Sequence, residues 1–124
     1  MLFTLFATLA ADPAPVEGRW KNPSGRVVVA IEACGEALCG TVISATESAR
    51  ADARRGGTEQ LVGTQLMSGF TPAGPGTWRG RMFVPDLNHR SKAELRLLGD
   101  SQLKVTGCAV GRMICKSQLW TRAD

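Results

Sequence analysis

The chain has 124 residues, a formal net charge of +4 and 44% hydrophobic residues. That length fits one compact domain: with an N-terminal apolar segment set aside, about 110 residues remain, enough for a single core that covalent cross-links would usefully reinforce. Arginine supplies most of the positive charge, but the arginines are scattered and no helix gathers them, so composition points to a solvated, mildly basic surface and away from a nucleic-acid site.

Residues 1–11, Met-Leu-Phe-Thr-Leu-Phe-Ala-Thr-Leu-Ala-Ala, have the length and small-residue ending of a signal-peptide apolar region, with cleavage expected after Ala10 or Ala11. No Lys or Arg precedes the run, which departs from the leader pattern, and the run is shorter than the ~20 apolar residues of a membrane span. A buried first strand or helix is the competing reading. Residues 12–17, opening on Asp12-Pro13-Ala14-Pro15, read as a linker, and residues 18–124 as the domain.

Val16 to Trp20 reads as a short strand, followed by the turn signal Asn22-Pro23-Ser24-Gly25. Arg26 to Ala33 is β-branched and places Val27, Val29 and Ile31 on one face. A hairpin loop at Gly35-Glu36-Ala37 leads into a strand over Leu38 to Ala45. Residues 47–57 break this pattern: alanines and charges favour a short helical excursion that Gly56-Gly57 would stop, to be read either as a mobile lid or as a solvated connection. Strand signals resume over Leu61 to Phe70, and again over Thr77 to Val84, where Trp78, Gly80, Met82 and Val84 alternate with Arg79 and Arg81. Pro85-Asp86-Leu87-Asn88 makes the next turn. Ala93, Leu95 and Leu97 line one strand, Leu103 and Val105 another, and Ile114 to Arg122 forms the last. About eight short strands at hairpin spacing predict an all-β fold, a single antiparallel sandwich or closed barrel.

The four cysteines fall as two close pairs, Cys34 with Cys39 and Cys108 with Cys115, each bracketing a glycine-containing turn. An even count in a small, exported chain reads as a disulfide framework with three allowed connectivities, of which the two local bridges are favoured. A four-cysteine zinc site competes, but the spacings are wider than Cys-x-x-Cys knuckles and an oxidising compartment disfavours free thiolates. No other metal or cofactor is expected.

The segment from Gly107-Cys108 through Cys115-Lys116-Ser117-Gln118-Leu119-Trp120-Thr121-Arg122 joins a cysteine loop to an aromatic, basic last strand. With Gly18-Arg19-Trp20 it suggests that the first and last strands meet. These motifs, together with Cys34 to Gly40, Leu61-Val62-Gly63-Thr64, Trp78-Arg79-Gly80 and Pro85-Asp86, resemble the bacterial exported family called domain of unknown function twenty-one forty-seven, from about Gly18 to Arg122. The resemblance implies a lipocalin-type up-and-down β-barrel of unassigned role. It also implies that Gly18, Trp20, Gln118, Trp120 and Arg122 close the barrel, with Arg122 stacked on Trp20. Many members carry Asp-x-x-Asn-Pro after the second strand, where this chain has Asp52-Ala53-Arg54-Arg55-Gly56-Gly57.

Catalytic groups are sparse. His89 is the single histidine and sits beside a predicted turn, there is no Gly-x-Ser-x-Gly elbow or His-Glu-x-x-His helix, and the acidic residues are isolated. The expectation is a noncatalytic periplasmic or secreted module that holds a small apolar or amphipathic ligand in the barrel, with Phe70, Trp78 and Met82 as candidate lining residues. The rival is a protein-interaction module, such as an inhibitor of a cell-envelope hydrolase, acting through its loops on an envelope protein partner. Neither nucleic acid nor a stable membrane span is expected.

Overall fold

The computed structural model describes residues 14–109 and 114–123. The predicted leader and its cleavage point lie outside the described residues. Eight strands run antiparallel in sequence order and close on themselves: β1 (Gly18–Lys21), β2 (Val27–Cys34), β3 (Ala37–Ala45), β4 (Gln65–Pro72), β5 (Thr77–Val84), β6 (His89–Leu98), β7 (Gln102–Ala109) and β8 (Ile114–Arg122). One helix, α1 (Glu47–Arg55), interrupts the meander between β3 and β4. Closure gives every strand two neighbours, although the β4–β5 ladder covers only part of its strands' length. Up-and-down connectivity gives the barrel a base, carrying the chain's entry and exit and the β2–β3, β4–β5 and β6–β7 turns, and a mouth, carrying the β1–β2 and β5–β6 turns and α1.

The period-2 patterns translate into inward faces. Val29 and Ile31 from β2, Leu95 from β6 and Leu103 and Val105 from β7 are buried, while Lys92, Arg96 and Lys104 between them are exposed. Eight strands enclose a space that side chains can just fill, and the lower half is filled. Phe70 and Trp78 are 1% and 7% exposed. Phe70 finds room because β4 carries an extra residue there: Ser68 pairs with Arg81 and Thr71 with Arg79, so Gly69 and Phe70 together oppose Gly80. A Cβ on Gly80 would stand 2.7 Å from the Phe70 ring.

Two differences from the sequence reading have local causes. The strand expected from Leu61 begins only at Gln65, because Gly63 adopts φ +97° in a turn that the Thr64 N–H closes on the Leu61 carbonyl at 2.9 Å. Residues 14–17, expected as the end of a linker, turn beneath the base instead. Val16 is fully buried, and its carbonyl accepts the Trp20 indole N–H at 2.8 Å.

The cysteines pair as Cys34–Cys39 and Cys108–Cys115. The first bridge ties the β2–β3 hairpin at the base, and the second joins β7 to β8 near the mouth, where Cys108 and Cys115 stand opposite each other in register.

Candidate binding site

At the base, β1 and β8 meet through only two residue pairs, Trp20 with Arg122 and Lys21 with Thr121. Side chains reinforce this short seam. The Arg122 guanidinium lies 4.2 Å from the centroid of the fully buried Trp20 ring. Its Nη1 donates to the Glu17 carbonyl at 2.7 Å, Nη2 to that of Pro15 at 3.1 Å and Nε to that of Asp100 at 3.1 Å. One side chain therefore fastens the last strand to the first, to the segment beneath the base and to the β6–β7 turn. Gly18 makes way for it, with φ +130° and a hypothetical Cβ 2.7 Å from Nη1. Trp120 points inward, and its indole N–H donates to the Gln118 side-chain carbonyl at 3.1 Å. These five residues are not one cluster, however. Gly18, Trp20 and Arg122 close the base, whereas Gln118 and Trp120 face a cavity toward the mouth.

That cavity, about 400 Å³, lies between the upper barrel and α1. The helix forms where it does because Thr46 caps it, its hydroxyl accepting the Ala49 N–H at 3.2 Å, with Glu47 in the first turn and Arg54 and Arg55 in the last to complement the helix dipole. Ala49 and Ala53, one turn apart, are its buried face. Such short side chains hold the helix against the barrel without filling the space beneath. Two contacts fix it across the mouth. Ser48 in the first turn and Asp52 both accept from Arg26 of the β1–β2 connection at 3.2 Å, and Asp52 also pairs with Arg55. At the other end the helix's C-cap, Gly56, packs so closely on the β5–β6 turn that a Cβ there would collide with the Pro85 carbonyl.

The apolar lining comes from Val27, Leu61, Leu66, Met82, Phe83, Val84 and Trp120 besides the two alanines, and Asn22, Ser24, Arg26, Asp52, Asp86 and Gln118 add polar and charged groups. Of the three expected lining residues, only Met82 is there. Phe70 and Trp78 belong to the packed lower half: both are buried, and the Phe70 ring lies over Gly80, so large side chains fill a barrel of this width. The sequence reading expected a short helix at α1, with a lid as one of two roles, but named none of its residues, nor Leu61, as lining. The helix's signal was the Ala49–Ala53 spacing at i, i+4, which marks a buried helical stripe in an otherwise charged segment.

His89, exposed, is the first residue of β6 and lines neither this cavity nor a second, smaller one on the barrel wall. Among the described residues no group of three or more His, Cys, Asp or Glu side chains is placed to hold a metal ion, and no helix is long and apolar enough to cross a membrane.

The family model described as an uncharacterized protein conserved in bacteria, DUF2147, matches residues 18–122. The chain belongs to this family. Among solved structures, this DUF2147 protein is similar to protein HP1028 from the human pathogen Helicobacter pylori, described as belonging to the lipocalin family. The TM-score is 0.68 at 11% identity, over 88% of this chain and 83% of that one. At that identity the likeness concerns the fold: a closed, eight-stranded, lipocalin-like barrel. No curated protein matches the chain.

Proposed function

We propose that this DUF2147 protein is a noncatalytic binding module of the bacterial cell envelope that holds a small amphipathic molecule in the cavity beneath α1. The observation that carries this reading is the cavity itself. Its volume of about 400 Å³ falls in the range of small-molecule sites, and its lining combines aliphatic and aromatic side chains with polar and charged ones. A barrel packed to the mouth would have favoured the loop-borne protein-interaction reading instead. The two disulfides support an oxidising compartment, and hence a periplasmic or secreted location reached by way of the N-terminal apolar run.

The test uses the neutral fluorophore N-phenyl-1-naphthylamine, whose emission rises on transfer to an apolar site. Saturable binding at one site is expected for the wild-type protein, with quenching of Trp120. Ala53→Phe, which fills the cavity from the helix side, should abolish binding while leaving the cooperative unfolding transition in place. Binding that survives this substitution would place the probe elsewhere and remove the support for the reading.

A further inference from the structure

The barrel wall is incomplete beside the cavity. The β4–β5 ladder runs from Pro72–Trp78 to Met67–Met82 and stops there, so Gln65 and Leu66 of β4 and Phe83 and Val84 of β5 have no partners across that seam. From Thr77 to Val84, in contrast, β5 is paired without a break to β6. Where β4 and β5 part, a second cavity of about 340 Å³ opens, lined by Thr64, Gln65, Ser68, Arg81 and Arg90, with Met82 and Phe83. Met82 and Phe83 also line the cavity beneath α1. The two spaces therefore adjoin at these two residues.

The charges at this cleft are uncompensated. On the outer face of β5, Arg79 pairs with Glu94 at 3.4 Å, but among the described residues neither Arg81 nor Arg90 pairs with a carboxylate. Arg81 stands directly opposite Lys92 on β6, a cross-strand arrangement of like charges that costs stability. The Arg90 guanidinium lies 4.4 Å from the Phe83 ring centroid. Stacking engages the face of the guanidinium and leaves its in-plane N–H donors free for an acceptor. Two exposed arginines, the Ser68 hydroxyl and the Gln65 amide line this one cleft and make it rich in donors suited to an anion, while the Thr64 hydroxyl is already donated to the Gln60 carbonyl at 2.6 Å.

We propose that this cleft binds the anionic group, carboxylate or phosphate, of an amphiphile whose apolar chain passes Met82 and Phe83 into the cavity beneath α1. The proposal rests on the binding function of that cavity and names the chemistry of what it binds: a single-chain anionic amphiphile, entering through the parted β4–β5 seam. Arg81 and Arg90 fork onto the anion, Ser68 and Gln65 complete its hydrogen bonds, and the apolar chain gains its free energy from the cavity.

Isothermal titration calorimetry on the full protein with four probes tests this: dodecanoate, dodecyl phosphate, dodecanol and inorganic phosphate, all below the micellar range. The two charged amphiphiles should bind about tenfold or more tighter than dodecanol, with an affinity that falls as salt is raised, and inorganic phosphate should bind far more weakly than dodecyl phosphate. In Arg81→Gln/Arg90→Gln the charged amphiphiles should lose about tenfold or more while dodecanol is unchanged, and Arg90→Lys should keep part of the preference. Each variant's thermal unfolding is followed, and Arg81→Gln alone replaces the double variant if the latter is unfolded. Equal binding of dodecanoate and dodecanol, insensitive to the arginines, would overturn the anion site while leaving the apolar cavity. Inorganic phosphate as tight as dodecyl phosphate would overturn the amphiphile. Binding of none of the four would remove both readings.

Discussion

Removing Arg122 should unfasten the base of the barrel, and its cost follows from the contacts it makes. Its stacking on Trp20 at 4.2 Å, on a half-buried guanidinium, contributes about 1 kcal/mol. Of its three hydrogen bonds, those to Pro15 and Asp100 are exposed and water can replace them, whereas the one to Glu17 is partly buried and contributes about 1 kcal/mol more. Arg122→Ala should therefore cost about 2 kcal/mol, within a range of about 1–3. Trp20→Ala removes a fully buried indole and orphans the Val16 carbonyl, for about 3–5 kcal/mol. The two effects should not add. The ring that Arg122 covers is also the anchor of the segment whose Pro15 and Glu17 carbonyls accept from it, so once Trp20 is gone the guanidinium has less to hold. A double-mutant cycle by urea denaturation should give a coupling of about 1–2 kcal/mol. Additivity within about 0.3 kcal/mol would show that the two side chains are independent and that the seam is held by its backbone pairs alone. If instead Arg122→Ala left stability unchanged and abolished ligand binding, Arg122 would belong to the site.

Gly18→Ala forces an L-residue to φ +130° and pushes the guanidinium aside, so it should cost about 1–3 kcal/mol in the wild type and less in an Arg122→Ala background, as measured by the same denaturation. Cys108→Ser/Cys115→Ser should lose about 2–3 kcal/mol, and non-reducing peptide mapping of the wild type should recover only the two local bridges. Gly56→Ala drives a methyl group into backbone, within 2.7 Å of the Asp86 carbonyl carbon, and should unseat α1; hydrogen exchange should speed up across Glu47–Arg55 while the amides of β6 and β7 stay protected. Expression with the N-terminal run intact should yield periplasmic protein starting near Ala11 or Asp12 by N-terminal sequencing, and uncleaved chain in the membrane fraction would show that the run is an anchor.

The strands were legible because their information is local. Val27, Val29 and Ile31, or Ala93, Leu95 and Leu97, sort to one face by alternation alone, and the turns between strands announce themselves in Asn22-Pro23-Ser24-Gly25 and Pro85-Asp86-Leu87-Asn88. The site was legible only in part, because what makes a cavity is a mismatch between elements remote in sequence. Phe70, Trp78 and Met82 carry the same inward pattern, yet two are packed and one is open to the cavity. What separates them is Gly80, which lets the Phe70 ring lie across β5, together with the end of the β4–β5 ladder at Met82. Neither is visible in periodicity, since a strand that continues past its last partner alternates just as a paired one does. The charged segment 47–57 poses the converse problem. Its composition reads as solvated, and its value to the fold lies in two methyl groups, Ala49 and Ala53, too small to register as a hydrophobic face but small enough to roof a space without filling it. A larger residue at either position would strengthen the helical signal and close the cavity. In this barrel the weakness of the sequence signal over α1 and the existence of a site beneath it have the same cause.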